Sequence, residues 1–386
     1  MDNKIASEKL HRELKGKIST ELKADINSKE DLAIVYSPWV AEPCNLIAED
    51  RARVYDYTLK WNTIAVISDG SAVLWLGNIG PEAALPVMEW KCALFKKFAW
   101  LNAFPIVLDT QDTEEIIKTV KHLAPTFGGI NLEDISAPRC FEIEERLKTE
   151  LDIPVFHDDQ HGTAIVALAG LINSLKITWK KKEDIRVVIN WVWAAGVAIT
   201  KLLLLYGVKD IVVVDSAWVI HKGRQNLNPV KEMLTNVTNT ACLLDPSSSQ
   251  CVTGWLEEAV KWRDVFIGVS APWVLTQDMV RSMNPDSIIY GLANPIPEIM
   301  PELAYEAGAK IVATGRSDYP NQINNVLVFP GIFKWALDAR VSKITDEMKL
   351  QAAEALANLV VNPSPRKIIP EAFDDWVMEA IAKSIK

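Results

Sequence analysis

Four carboxylates in two adjacent pairs are the residues of this chain best suited to chemistry. Glu133 and Asp134 follow the run Gly129-Ile-Asn-Leu132. Asp158 and Asp159 follow Val155-Phe156, inside His157-Asp158-Asp159-Gln160-His161-Gly162-Thr163. Each run has the length and composition of a buried strand. In a parallel sheet the C-terminal strand ends open onto one crevice, so the two pairs can converge there. Three carboxylates with waters and a substrate oxygen make a hard site suited to Mg²⁺ or Mn²⁺. Two plainer readings stand beside it: an Asp ahead of a helix is a common cap, and His157 with His161 suggests zinc, although no cysteine lies close by. Taken alone, Lys91 reads as a solvated charge on a helix and Tyr36 as an amphipathic residue at a strand end. Asn294, in Gly291-Leu-Ala-Asn-Pro295, and Asn325, ahead of an apolar stretch that reads as a strand, are turn formers by type.

A second constellation runs from Arg186 to Asp215. Val187, Val188 and Ile189 read as a parallel strand closed by Asn190, Ala194 to Tyr206 as a helix, and Ile211 to Asp215 as the next strand. A β-turn-α-β unit with an acidic residue about 20 positions past the turn is the pattern of a dinucleotide-binding fold. The candidate cofactor-binding residues are therefore Asn190, Trp191, Trp193, Ala194, Ala195, Gly196 and Asp215. The turn pattern is Gly-x-Gly-x-x-Gly, whereas this chain has Trp191-Val-Trp193-Ala-Ala-Gly196. The first glycine permits the tight turn and the second the close approach of backbone to pyrophosphate, so two indoles there contradict the site.

The elements that must position these residues alternate strand and helix throughout, an α/β chain of two domains, the second a doubly wound parallel sheet of Rossmann type. The expected division is 1–160 and 161–386, with a long apolar helix from Ala164 to Leu175 at the junction. Leu32–Tyr36, Thr63–Ile67 and Ala72–Leu76 read as early strands, residues 2–30 as helical, and Thr345–Leu359 as a closing helix. The 386 residues carry a net charge of −9, which argues against nucleic acid and anionic membranes as partners. Five cysteines without a Cys-x-x-Cys pair suit a reducing compartment. The charged N-terminus is unlike a signal peptide, so the expected location is the cytoplasm.

Several segments resemble the malic enzymes, in particular the compact prokaryotic ones. Tyr36-Ser-Pro-Trp39-Val-Ala is similar to that family's Tyr-Thr-Pro-Gly-Val-Ala. Leu74-Trp75-Leu-Gly-Asn-Ile-Gly-Pro, Met88-Glu-Trp90-Lys91, Phe156-His-Asp-Asp-Gln-His-Gly-Thr-Ala and Gly291-Leu-Ala-Asn-Pro also match, in the family's order. The resemblance implies oxidative decarboxylation of malate to pyruvate with NAD, NADP being the alternative, and Mg²⁺ or Mn²⁺. It further implies Lys91 as general base, Tyr36 as general acid, Glu133, Asp134 and Asp159 as metal ligands with Asp158 beside them, and Asn294 and Asn325 on the substrate. Lys91 must then be neutral, its pKa lowered by burial or by the cation. Asp215 favours NAD, with Lys222 and Arg224 close enough to help a 2′-phosphate. A homodimer is expected. A malolactic enzyme is the near alternative, and a non-catalytic protein follows if Trp191 and Trp193 are genuine. The arginine that larger members place in the Ser71-Ala-Val-Leu74 region is absent here.

Against the family pattern, twelve tryptophans stand where glycine belongs: Trp39, Trp61, Trp75, Trp90, Trp100, Trp179, Trp191, Trp193, Trp218, Trp262, Trp273 and Trp335; Trp255 and Trp376 match no such position. The chain has 17 glycines, and twelve more would bring it to about 7.5%, near the usual level of roughly 7%. One residue type replaced at twelve sites points to decoding rather than drift, with UGA read as tryptophan in place of glycine. Positive φ is expected at Trp61, Trp100 and Trp218, and Trp90 is expected to crowd the substrate space beside Lys91.

Overall fold

The computed structural model describes residues 3–385 apart from 246, 249, 375 and 376. Two parallel sheets organise it. The first, in the order β2-β1-β3-β4, is built from β1 (Thr63–Ser68), β2 (Asn102–Val107), β3 (Gly129–Leu132) and β4 (Val155–His157). The second, in the order β6-β5-β7-β8-β9, takes β5 (Arg186–Asn190), β6 (Asp210–Val214), β7 (Val265–Gly268), β8 (Ile288–Gly291) and β9 (Ile311–Thr314). Every strand pairing within them is parallel.

These strands are short β-branched runs because helices cover both faces of each sheet. In the second sheet Val187, Ile189, Val213 and Ile267 enter one core, while Val188, Val212, Phe266 and Ile289 enter another on the opposite face. In the first sheet Ile64 and Val66 join the shared core, and Ala65 and Ile67 a third. The alternation is the period-two direction of strand side chains.

The helix Asp158–Thr178 starts directly at the end of β4 and packs against the Ala194–Tyr206 and Asp346–Asn358 helices. The Phe329–Asp338 helix returns from the second sheet to the first. Phe329 and Phe333 lie edge-on to Phe95, at 4.8 and 5.4 Å between centroids, and Phe333 also meets Phe156 at 5.9 Å. The two sheets therefore share a core that includes residues near 330.

Several sequence expectations need correction. Leu32–Val35 belongs to a helix, Lys29–Val35, started by a Ser28–Asp31 capping box. Ala72–Leu76 forms only an isolated bridge between Val73 and Gly77. Helix at the N-terminus covers Asn3–Leu14 and not the whole of 2–30. Asn325 precedes the Phe329–Asp338 helix, not a strand, and a further helix, Val377–Ser384, follows Asp346–Asn358. Cys242 and Cys251 are joined as a disulfide with their Cα atoms 4.5 Å apart, whereas the cysteine pattern suited a reducing compartment. No helix among the described residues is long and apolar enough to cross a membrane.

Candidate active site

Leu132 of β3 pairs with His157 of β4, which sets Glu133 and Asp158 side by side where the two strands end. Asp134 takes a left-handed backbone, φ 53°, and its N–H donates to Asp159 Oδ2 at 2.8 Å. One carboxylate oxygen each from Glu133, Asp134 and Asp159 lies within 4.8 Å of the others. Burial, above all, raises the pKa of each of the three, Asp159 to about 6. Asp134 Oδ2 is buried and accepts no hydrogen bond. Like charges crowded together around an oxygen without a donor fit a hard divalent cation. Neither histidine belongs to this metal-competent group among the described residues. His161 instead faces Glu144, 2.8 Å from Nε2, and Glu144 also accepts from the His157 backbone N–H at 3.1 Å. Glu144 thereby fastens the turn that presents Asp158 and Asp159. The sequence offered no local signal for it, since it lies on a different helix, Arg139–Glu150.

Lys91 projects from the Pro81–Ala99 helix to 2.9 Å from Glu133 Oε1 and 2.7 Å from Asp158 Oδ2, with its ammonium 4.3 Å from the centre of the Phe329 ring. Burial pulls its pKa down, but the Asp158 and Glu133 charges outweigh burial and hold it above the ordinary value. This corrects the expected lowering: with both carboxylates free to pair, the ammonium is the stable form. Glu133 faces both Lys91 and the cation position. Trp90 is 52% exposed while Lys91 is 6% exposed, so the expected crowding is not seen. Successive helix positions diverge by about 100°.

Gly162, one turn into the Asp158–Thr178 helix, lies against both Asp158 and Asn325: a Cβ there would meet Asp158 Oδ1 at 1.9 Å and Asn325 Cβ at 2.9 Å. Asn325 is thus brought to the edge of the cluster. Asn294 is exposed on the loop after β8. That loop is held by Glu298, which sequence reading missed. Glu298 is fully buried and accepts from Ala293 N, Ser270 N and Ser270 Oγ at 2.7–3.0 Å; Ser270 Oγ in turn accepts from Asn190 Nδ2 at 2.8 Å. The available signal was Gly268, where a Cβ would meet the Glu298 carboxyl at 2.5 Å. A second missed pair, Asp69 and Arg139 at 2.9 Å, ties the loop after β1 to the one after β3, with Ser71 and Ser136 hydrogen bonded to the same guanidinium. Tyr36 is not brought to the cluster. It is 66% exposed at the end of the Lys29–Val35 helix, which buries no residue against the rest of the chain.

At the second sheet the backbone has the dinucleotide-binding form. β5 ends at Asn190, the chain turns through Trp191 with φ 85°, and the Ala194–Tyr206 helix begins. Gly196 is needed, because a Cβ would lie 2.3 Å from the Trp191 carbonyl oxygen. Ala194 and Ala195 open the helix beside it. The side chains do not fit the pattern: Trp193, 41% exposed, caps the start of that helix, and Trp191 stands at the tight turn. Asp215, just past β6, is nearly buried. Its carboxylate accepts two bonds from Arg224 at 2.9 Å, one from Lys231 at 2.6 Å, and the Ala217 and Trp218 amides. Burial would raise its pKa, but the Lys231 bond, these amides and Arg224 carry it down to about 2. Lys222 bonds Asn236 instead.

The profile of the malic enzyme N-terminal domain matches residues 15–118 and 110–148, and that of the malic enzyme NAD binding domain matches residues 160–374. A bifunctional malic/malolactic enzyme of Bacillus subtilis is 55% identical over 379 residues, 97% of this chain and 90% of that protein. An NAD-dependent malic enzyme of Geobacillus stearothermophilus is 55% identical over 96% of this chain and 76% of its own length. Among solved structures, the NAD-dependent malic enzyme of Thermotoga maritima superposes with a TM-score of 0.93 at 49% identity, covering 98% of both chains.

Proposed function

The chain belongs to the malic enzyme family, and from that footing we propose that it oxidatively decarboxylates malate to pyruvate and carbon dioxide, reducing NAD with the help of a divalent cation. The observation that carries the reading is the convergence of Glu133, Asp134 and Asp159 within 4.8 Å, with Lys91 between Glu133 and Asp158.

A cation held by the three carboxylates supplies Lewis acidity to the hydroxyl and carboxylate oxygens of an α-hydroxy acid, and to the oxygen on which charge develops as carbon dioxide leaves. The side chains divide the remaining work. Lys91 in its neutral form takes the proton of the C2 hydroxyl, and a cation bound at Glu133 would favour that form by drawing off one of the two carboxylates that hold the ammonium. Asp158 Oδ2, 2.7 Å away, accepts from the ammonium and keeps it aimed. Asn325 at the cluster edge and Asn294 on the Glu298-held loop orient the substrate carboxylates. Protonation at C3 falls to Tyr36, which must be carried inward to act. Its helix also exposes Leu32, Ile34 and Val35. We take this face to be covered in a homodimer, which light scattering of the purified protein will check: a monomer at micromolar concentration would remove this reading.

The reaction is tested on protein purified from its own cells, given malate, NAD and Mn²⁺. NADH and pyruvate should appear together and cease on chelation. Lactate without net NADH would favour the malolactic reaction named for the Bacillus relative.

The ion pairing of Asp215 bears on cofactor choice. A carboxylate committed to Arg224 and Lys231 has little acceptor capacity left for ribose hydroxyls, and the two cations lie where a 2′-phosphate would approach. Arg224→Ala should therefore free Asp215 and raise the NAD-over-NADP ratio of kcat/KM by about tenfold, the equivalent of one charge-assisted hydrogen bond. A ratio that fell would show that Arg224 serves NAD binding instead.

A further inference from the structure

Five tryptophans occupy backbone that an indole-bearing residue does not choose. Trp100, Trp179, Trp191, Trp262 and Trp273 have φ of 58°, 57°, 85°, 60° and 63°. Among the described residues they are five of the thirteen non-glycine residues at positive φ, and Asn and Asp, which tolerate that region, supply five more. The positions are those glycine takes for a physical reason. Trp100 and Trp179 end the Pro81–Ala99 and Asp158–Thr178 helices in left-handed C-caps, as Gly207 ends Ala194–Tyr206. Trp191 occupies the tight turn of the dinucleotide loop.

Four of the five indoles are also exposed, Trp191 being half-buried. Trp100, Trp179 and Trp262 are 76%, 92% and 68% exposed, whereas a large aromatic is normally retained for the apolar area it buries. The surrounding backbone is nevertheless well satisfied. Trp100 N–H donates to Lys96 and its carbonyl accepts from Asn62; Trp262 N–H donates to Ser282 and its carbonyl accepts from Asn284. The main chain is specified at these sites and the side chain is not.

We infer that the protein, as its own cell makes it, carries glycine at these five positions, the codon UGA being decoded as glycine. The inference rests on backbone geometry, independently of the proposed reaction. The structure corrects the expected distribution of strain. Trp61 lies in a 3₁₀ turn and Trp218 has negative φ, so neither needs glycine conformationally. Trp61 has Lys23 over its ring, and Trp218 meets Trp255 edge-on at 5.9 Å. Trp335 is packed in the core at 8% exposure. Trp255, a helix N-cap with φ −95°, stays outside the set, and Trp376 lies outside the described residues.

The decisive measurement is tandem mass spectrometry of peptides from the native protein. Glycine is expected at 100, 179, 191, 262 and 273; tryptophan at these positions would overturn the inference whether or not the protein turns over malate. A recombinant comparison reads the consequence. Glycine at the five positive-φ sites alone should raise Tm, on the order of 10 °C in total, over the chain with tryptophan. Adding Trp193→Gly should restore NAD binding, followed by fluorescence titration. The chain with tryptophan at 191 and 193 should bind on the order of 100-fold more weakly or worse, having lost two charge-assisted amide–phosphate bonds. Equal Tm and equal NAD affinity in the two chains would count against glycine as the residue this backbone was built for.

Discussion

Asp159→Ala should lower kcat for malate by roughly a thousandfold or more, the scale of losing several kcal/mol of Lewis-acid stabilisation. Asp159 supplies one oxygen of the cation group and also accepts the Asp134 N–H that holds the neighbouring ligand in its left-handed turn. On the proposed metal reading, removing it takes away one oxygen donor and loosens a second. Asp159→Asn keeps the shape and loses the charge, so it separates the two effects. Mn²⁺ titration by calorimetry should show binding lost in both variants, while dinucleotide affinity is unchanged. Undiminished turnover after exhaustive chelation would end the metal assignment. The pH dependence has a definite sign. The folded pKa of Asp159, about 6, lies above its unfolded value near 3.9, so the folded state holds this proton where the unfolded state has released it. The contribution of this group to metal-free stability is therefore present at low pH and is lost as pH rises from about 4 through 6. Chelated Asp159→Asn should accordingly melt above the chelated parent at pH 7.5, and gain less from added Mn²⁺.

Lys91→Arg should give a folded protein with kcat reduced by about 10²–10⁴-fold, the usual worth of a positioned proton acceptor. A guanidinium keeps the charge that Glu133 and Asp158 require but cannot be deprotonated in a protein. Lys91→Ala should lose the same activity and stability as well, about 3–5 kcal/mol, because two buried carboxylates would face each other without a counter-charge. Denaturant unfolding alongside kcat separates the cases. An arginine variant with near-normal kcat would show that Lys91 holds charge and does not move a proton.

Much of this site was legible because parallel strands buried on both faces advertise themselves as short β-branched runs. The residue after such a run is on the crevice by construction. That placed Glu133, Asp134, Asp158, Asp159, Asn190 and Asp215 on the correct ends. The same rule misread Leu32–Val35, where Ile34 and Val35 look strand-like but the Ser28–Asp31 capping box starts a helix. What escaped was whatever depends on distant chain segments closing on one another. Glu298 works by folding back beneath Gly268 and Gly291, and Arg139 by reaching Asp69, 70 residues away in sequence; neither has a local pattern. The protonation of Lys91 was misjudged for a related reason: the resemblance implied burial or a nearby cation, but two carboxylates within 3 Å left no mark in the sequence.

The Phe329–Asp338 helix, seated on Phe95 and Phe156, has a consequence for how the molecule comes into being. On a ribosome, β1 to β4 are all made long before residue 329 emerges, so one side of the first sheet must wait with Ile64, Val66, Phe95 and Phe156 uncovered. Contacts spanning more than 170 residues carry the loop-closure delay of a high-contact-order topology. Emergence of residues 329–338, and not completion of the first sheet, sets the earliest moment at which Phe329 can close over Lys91.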